Sequence, residues 1–199
     1  MIAAISKRIS IALLKSNAIN QDELNVYAYG IQLLIMSIFD WCITFFFMWL
    51  IGEIYLSITY LIVFFLLRRH CGGYHAETHT RCIIASNVVF VASVLLSANM
   101  RYENYKIWLF IGEIINYIMI YIFSPAEHHN KPITSSKLTR HRKLGILFNT
   151  IISVASVILV LNGLGKFACA ILLGQLSVSV AVVLQKAKNS FGKEAKTNA

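Results

Sequence analysis

The amino-acid sequence predicts an all-α fold, a polytopic membrane bundle of about six transmembrane helices preceded by an amphipathic interfacial helix. The 199 residues are 57% hydrophobic and only 14% charged, and the mean hydropathy is +0.66. Ordinary soluble domains contain about 25% charged residues, so the composition excludes a water-soluble globular protein. We expect three parts: an interfacial helix at 1–19, a membrane-embedded domain at 20–185 and a basic cytoplasmic tail at 186–199.

The N-terminal part is expected to lie on the inner leaflet of the membrane. Apolar residues recur every three or four positions between Ile2 and Leu13, which is the spacing of one helical face. Basic residues lie among them, as in helices that bind a membrane surface: Lys7, Arg8 and Lys15. A frayed cytosolic tail is the alternative.

The membrane-embedded part begins with a helix start signal. Asn20 and Glu23 have the spacing of a capping box. The apolar run that follows, residues 26–67, is too long for one crossing, and Gly52 and Glu53 are its natural break.

Six helices are predicted in this part of the chain. They lie near residues 24–50, 54–67, 83–98, 107–123, 144–161 and 167–184. The third and fourth are short and contain polar residues, so a pair of re-entrant segments is an alternative to two crossings.

Basic residues predict the orientation. Lys and Arg accumulate in cytoplasmic loops close to helix ends. With the N-terminus inside, all of the 18 Lys and Arg residues are cytoplasmic except Arg101, Lys106 and Lys166. We therefore expect a multi-pass membrane protein with both termini in the cytoplasm.

The segment "RRHCGGYHAETHTRC", residues 68–82, carries the most reactive side chains and falls on the cytoplasmic side. Three interpretations are open. Cys71, His75, His79 and Cys82 could bind zinc if the segment folds back on itself. A histidine could instead be the base for a nucleophilic cysteine, which requires the two groups within about 3 Å. Alternatively, the segment is a charged loop whose arginines contact lipid phosphates.

The four cysteines are expected to differ in availability. Cys42 and Cys169 lie inside apolar runs, where a buried thiol acts as a small hydrophobe. Only Cys71 and Cys82 are expected to be chemically available. A disulfide between them is a poor explanation of the pair, because the cytoplasm keeps thiols reduced.

Two motifs carry a resemblance to a known family. "RRHCGGYHA" is followed by a cysteine seven positions after its last histidine, and "FSPAEHHNKPI" and a basic stretch come two apolar segments later. This order resembles the accessory gene regulator B family of bacterial quorum-sensing peptidases, and the resemblance spans nearly the whole chain.

The resemblance implies a membrane-embedded cysteine endopeptidase. Such an enzyme cuts the C-terminal tail from a small autoinducer precursor peptide through an acyl-thioester and promotes closure of the remainder into a thiolactone or lactone ring. The family's catalytic histidine falls on His75 and its nucleophile on Cys82, with Arg68 and Gly73 as supporting residues. Substrate-binding residues are not assigned, and neither a metal nor another cofactor is implied.

The expected partners follow from the same resemblance and from charge. They are a precursor peptide with an acidic C-terminal tail, membrane lipid and a second copy of the chain in a homodimer, and no nucleic acid is expected. The formal net charge of +9 would attract an acidic tail. The site is expected at the cytoplasmic face of a bacterial cell membrane.

Two other functions are alternatives: a peptide or small-solute transporter, and a zinc-dependent membrane hydrolase that uses the Cys/His cluster. Asp40 and Glu113 within the membrane helices favour a transporter, since such acids often face a water-filled cavity. We expect these two acids, with Asn149 and Gln175, to make polar contacts between helices first of all.

Overall fold

The structure, a computed structural model, describes residues 2–74, 78–100, 105–126 and 135–197. This part of the chain forms seven α-helices, which are α1 (Ile2–Lys15), α2 (Leu24–Ile51), α3 (Ile54–Cys71), α4 (His79–Asn99), α5 (Tyr105–Phe123), α6 (Ser135–Leu161) and α7 (Gly165–Thr197). The predicted all-α fold is confirmed. Within the described ranges, the six helices after α1 are long and apolar enough to cross a membrane, as predicted.

The helix boundaries agree with the predicted breaks but extend further into polar sequence. Helix α2 ends at Ile51, and the next residue, Gly52, has a φ of 78° that suits glycine. Helix α3 continues past the predicted end to Cys71, and α7 continues to Thr197. The predicted spans follow apolar residues alone, whereas a helix continues through basic residues where it emerges into water.

The helices fall into two compact units, residues 1–50 and 51–199. In the first unit, α1 has the predicted helical form, with Ile5 and Ile9 exposed and Ser10 buried. The predicted capping contact before α2 is present, because the Asn20 N–H donates to Glu23 Oε2 at 3.0 Å.

Helix α7 is the centre of the second unit and packs against α3, α4, α5 and α6. It lies close to α3 at Gly174, where an added Cβ would be 3.1 Å from Val63 Cγ1 and 3.2 Å from the Tyr60 carbonyl oxygen. Small residues allow this approach, which is typical of helix packing in membranes.

Polar side chains are concentrated inside the second unit, whereas large apolar ones cover its outside. Apolar residues such as Trp108, Phe110 and Ile122 are about two-thirds exposed. This arrangement suits lipid as a solvent, since lipid does not drive apolar surfaces together and hydrogen bonds between helices contribute to association. The buried polar residues include Ser57, Ser93, Ser97, Asn116, Asn149, Ser156, Gln175 and Ser179.

Gly174→Val is expected to destabilise the second unit. The added methyl groups meet the Tyr60 carbonyl, which cannot move without displacing α3, so the cost should be about 1–3 kcal/mol. Unfolding in detergent micelles measures this loss. The matched control is Gly30→Val in α2, where nothing lies within 4 Å of an added Cβ. An equal loss in both variants would contradict the packing described for α7.

Candidate functional site

One end of the second unit brings together the end of α3 and the beginning of α6. The His70 ring stacks on Phe148 with 5.0 Å between ring centroids, and His141 lies 5.8 Å from His70. The end of α5 joins the same region, because Arg142 Nη2 donates to the Tyr121 carbonyl at 3.4 Å. The end of the bundle that carries the reactive segment is therefore built from several helix termini.

The chain leaves α3 through Gly72 and Gly73, and a side chain at either position would collide with a neighbouring group. The Gly72 N–H closes the last helical turn on the Arg68 carbonyl at 3.1 Å. Gly72 then forms a parallel β-bridge with Ala126, and the Ala126 N–H donates to the Cys71 carbonyl at 2.9 Å. An added Cβ on Gly72 would collide with the Ala126 carbonyl oxygen. The two segments that carry the sequence motifs thus meet at this bridge.

The Arg68 side chain holds the backbone of the turn. Its Nη1 donates to the Gly72 carbonyl at 3.1 Å, and its Nη2 donates to the Tyr74 carbonyl. A Cβ on Gly73, where φ is 133°, would overlap Arg68 Nη1 and approach Ala181 Cβ to 3.1 Å. The structure therefore brings the two predicted supporting residues, Arg68 and Gly73, into direct contact.

Tyr74, the last described residue before position 75, contacts α7. Its N–H donates to the Ala181 carbonyl at 2.7 Å, and Lys188 Nζ lies 5.4 Å from the centroid of its ring. Sequence reasoning missed Tyr74, Ala126 and Ala181. Backbone groups of Ala126 and Ala181 make these contacts, so the sequence contains no signal for them.

Cys82 lies near the beginning of α4 and is partly exposed. Its N–H donates to the carbonyl of Thr78 at 3.2 Å, and the Thr78 side chain caps the helix by accepting from the Arg81 N–H at 3.4 Å. A helix N-terminus favours negative charge, and the Arg68 guanidinium interacts electrostatically with Cys82. Cys82 therefore lies at a helix N-terminus and within electrostatic range of Arg68.

The predicted catalytic base, His75, lies outside the described residues, and so does the side chain of His79. The described residues on either side of 75–77 are Tyr74 and Thr78. The pairing of His75 with Cys82 stays a prediction.

Two expectations about the cysteines were wrong. Cys71, expected to be available, is completely buried, and its Sγ lies 3.0 Å from the position of a Cβ on Gly145 in α6. Cys42, expected to be buried, is exposed on α2, because a thiol in an apolar run can also face lipid. Cys169 is buried, as expected, and all four cysteines are free.

The remaining features of the second unit do not point to the reactive segment. Within the described ranges, no three His, Cys, Asp or Glu side chains lie close enough to hold a metal ion. A cavity of about 270 Å³ between α5 and α6 is lined by Tyr117, Thr150, Ser153, Val154, Val157 and Ile158. The cavity is an apolar groove, and its lining residues are far from Cys82 in the sequence.

Comparison with known proteins identifies the family. The profile of the family described as accessory gene regulator B matches residues 6–184. The chain belongs to the accessory gene regulator B family. An AgrB-like protein of Clostridium perfringens strain SM101 is 27% identical over 172 residues, which cover 81% of this chain and 80% of the relative.

Another relative matches a shorter part of this chain. The accessory gene regulator protein B of Staphylococcus aureus strain Newman is 26% identical over 98 residues, covering 49% of this chain and 51% of the relative. No solved structure matches the chain. Family membership and six apolar helices support a membrane protein with a role in quorum-sensing gene regulation.

A water-soluble maleimide is expected to react with Cys82 and to leave Cys71 unmodified. The background for this measurement is Cys42→Ala with Cys169→Ala, and intact-mass spectrometry should show one label in the folded protein and two after denaturation. Adding Cys82→Ala should remove the label from the folded protein. Labelling of Cys71 in that folded variant would contradict its burial.

Proposed function

We propose that the chain is a membrane-embedded cysteine endopeptidase that removes the C-terminal tail of a small precursor peptide and promotes cyclisation of the remainder. The observation that carries this proposal is the position of Cys82, partly exposed at the beginning of α4 and within electrostatic range of Arg68. The same arginine holds the backbone that leads directly to His75.

The first half of the reaction forms an acyl-thioester. A free thiol is mostly protonated at neutral pH, so His75 accepts the Cys82 proton and the thiolate attacks the scissile carbonyl. The C–N bond then breaks, and the leaving amine takes the proton from His75. The tail departs, and the N-terminal part of the peptide stays on Cys82 as a thioester.

The second half closes the ring. A thiol or hydroxyl within the bound peptide attacks the thioester carbonyl and displaces the Cys82 thiolate, which regains a proton through His75. Thioester exchange with a thiol conserves the activated bond. A site at the membrane interface limits access of water, which would otherwise hydrolyse the intermediate.

The charge at this end of the bundle supports an acidic substrate tail and a cytoplasmic location. Basic residues from several helices lie at this end, namely Arg69, Arg81, Arg140, Arg142, Lys143, Lys186 and Lys188. Such a surface attracts an acidic peptide and is typical of a cytoplasmic face.

Maleimide should accordingly reach Cys82 in inverted vesicles and not in right-side-out vesicles. The homodimer stays a prediction, for which mass measurement in detergent is the test.

The zinc hydrolase is the weaker alternative, because Cys71, one of its four ligands, is buried against α6. A chelator would abolish zinc-dependent activity and spare a cysteine peptidase.

Cys82→Ala is expected to abolish both cleavage and ring closure, since the proposed thioester forms on the Cys82 sulfur. His75→Ala should lower the cleavage rate about 10²- to 10⁴-fold, as for loss of a general base. The assay mixes membranes that contain each variant with the cognate precursor and follows the products by mass. Cys71→Ala is the matched control and should retain cleavage. Cutting by Cys82→Ala would overturn the assignment of the nucleophile.

Arg68→Lys is expected to lower the rate of cleavage by about 10- to 100-fold. A lysine ammonium carries its donors on one nitrogen and does not reproduce the planar fork with which the guanidinium reaches both carbonyls, and a hydrogen bond from a charged donor contributes about 1.5–3 kcal/mol. The effect should fall mainly on kcat, because Arg68 positions the backbone beside His75. Arg69→Lys is the control, since Arg69 is exposed. Equal rates for both variants would contradict the positioning role.

A further inference from the structure

The cavity of about 270 Å³ between α5 and α6 is a groove on the outside of the second unit, and we call it the α5–α6 groove. Tyr117 lines it from α5, and the other lining residues belong to α6. Tyr117 is 40% exposed and Val154 is 54% exposed. Because apolar surfaces of a membrane bundle face lipid, lipid has access to this groove.

The two hydroxyl groups that α6 contributes to the lining are bonded within the protein. Thr150 Oγ1 donates to the Ile146 carbonyl at 2.9 Å, and the Ser153 hydroxyl donates to Glu113 Oε2 at 2.6 Å. The other α6 residues of the lining are aliphatic, namely Val154, Val157 and Ile158. The groove therefore suits a ligand that needs no hydrogen-bond partner, such as an acyl chain.

The face of α6 that lines the groove continues to a basic residue at the beginning of the helix. Lys143 lies seven residues before Thr150 and eleven before Val154, so the three residues share one helical face. The Lys143 side chain is exposed. A lysine in this position extends its ammonium group toward the headgroups while its methylene stem covers apolar surface.

Arg142 connects α6 to α5 at the same end of the groove. Its Nη2 donates to the carbonyl of Tyr121, which lies one turn after Tyr117 on α5. A guanidinium has five N–H groups in a planar fork that fits phosphate oxygens, and this bond uses one of them. The exposed Tyr121 ring is of the type common at the level of the headgroups. This end of the groove therefore offers several donors to an anion.

Acidic residues of α5 and α6 do not neutralise these cations. Within the two helices, both of which the structure describes from end to end, Glu113 is the single acid. At the standard helical rise, Glu113 lies about 12 Å along α5 from Tyr121. Basic sites between membrane helices bind anionic headgroups. The charge at this end thus favours an anionic ligand over a zwitterionic one.

The length of the groove matches the depth of one lipid leaflet. At the standard helical rise, Thr150 lies about 10 Å and Ile158 about 22 Å along α6 from Lys143. One leaflet is about 20–22 Å deep, of which the headgroup region takes about 5–7 Å. A phosphate held at Lys143 therefore brings an acyl chain alongside Thr150 and its end alongside Ile158.

We propose that the α5–α6 groove binds one anionic phospholipid, with its phosphate at Lys143 and Arg142 and an acyl chain along the α6 lining. Such a lipid occupies a defined place, in contrast to the general attraction between a basic surface and an anionic membrane. The proposal does not rest on the peptidase function, because lipid binding is measured without a peptide.

Native mass spectrometry of the full chain in detergent tests the headgroup site. The protein is titrated with phosphatidylglycerol or with phosphatidylcholine of the same acyl chains, and one phosphatidylglycerol should stay bound where phosphatidylcholine does not. Lys143→Gln should weaken phosphatidylglycerol binding about fivefold, which is the effect of one basic residue close to anionic lipid, and Arg142→Gln should weaken it as well.

The matched control for charge is Arg81→Gln. This variant removes the same charge from an exposed residue of α4 at the same end of the bundle, and it should leave lipid binding unchanged. Equal losses in Lys143→Gln and Arg81→Gln would indicate diffuse attraction and overturn the site. Equal retention of the two lipids by the wild-type protein would overturn it too.

Val154→Trp tests the acyl-chain part of the site, because the indole fills the groove without changing the charge. It should weaken phosphatidylglycerol binding, whereas Val88→Trp, the same change at an exposed position of α4, should not. Circular dichroism shows whether both variants keep their helix content. Unchanged lipid binding in a folded Val154→Trp would overturn the placement of the acyl chain.

Two other occupants of the groove give different results in the same measurements. A lipid-free dimer that Val154→Trp dissociates would assign the groove to a second copy of the chain and overturn the lipid site. Glycerol 3-phosphate, which has the phosphate but no acyl chain, should not displace the bound lipid at equal concentration. Displacement would assign the basic end to a free phosphate ester instead.

Discussion

The interaction between the Arg68 guanidinium and the carbonyls of Gly72 and Tyr74 determines how the chain leaves its third helix. A helix that ends leaves its last carbonyls without intrahelical partners, and at a membrane boundary they must find other donors. The carbonyls that follow the helix have the same requirement, and Arg68, one turn before the end of α3, donates to those of Gly72 and Tyr74. The sharp turn, the bridge to Ala126 and the approach to α7 all depend on this contact.

Polar groups in the interior of the bundle also need hydrogen-bond partners from the protein. Lipid does not push apolar side chains inward, so α7 is held by small residues and by hydrogen bonds from neighbouring helices. Gly174 allows α3 to approach, and Tyr60 donates its hydroxyl to Ser177 at 2.9 Å. Ser179 and Gln175 of α7 form hydrogen bonds with Asn116 of α5 and Asn149 of α6. One helix thus carries both the packing and the polar contacts of the second unit.

Most of the fold could be predicted from the sequence, because crossing a bilayer requires long apolar runs that are visible without coordinates. The predicted interhelical contacts of Glu113, Asn149 and Gln175 are confirmed. Helix ends were predicted less well, because basic residues continue α3 and α7 beyond the apolar sequence.

The candidate site could be predicted only in part. The motif indicated Arg68 and Gly73, but not that they touch, since their contact depends on a positive φ. Cys71 and Cys82 have the same side chain in the same segment, and packing against other helices, such as the approach of Gly145 from α6, distinguishes the buried thiol from the available one. Burial of this kind arises from residues distant in the chain, which a local pattern does not reveal.

The glycine pair after α3 has a consequence for directed evolution. The Ala126 carbonyl closes the space beside Gly72, and the Arg68 guanidinium closes the space beside Gly73. A mutant library that diversifies these two positions would lose the bridge to Ala126 through changes at Gly72 and would displace the Arg68 guanidinium through changes at Gly73.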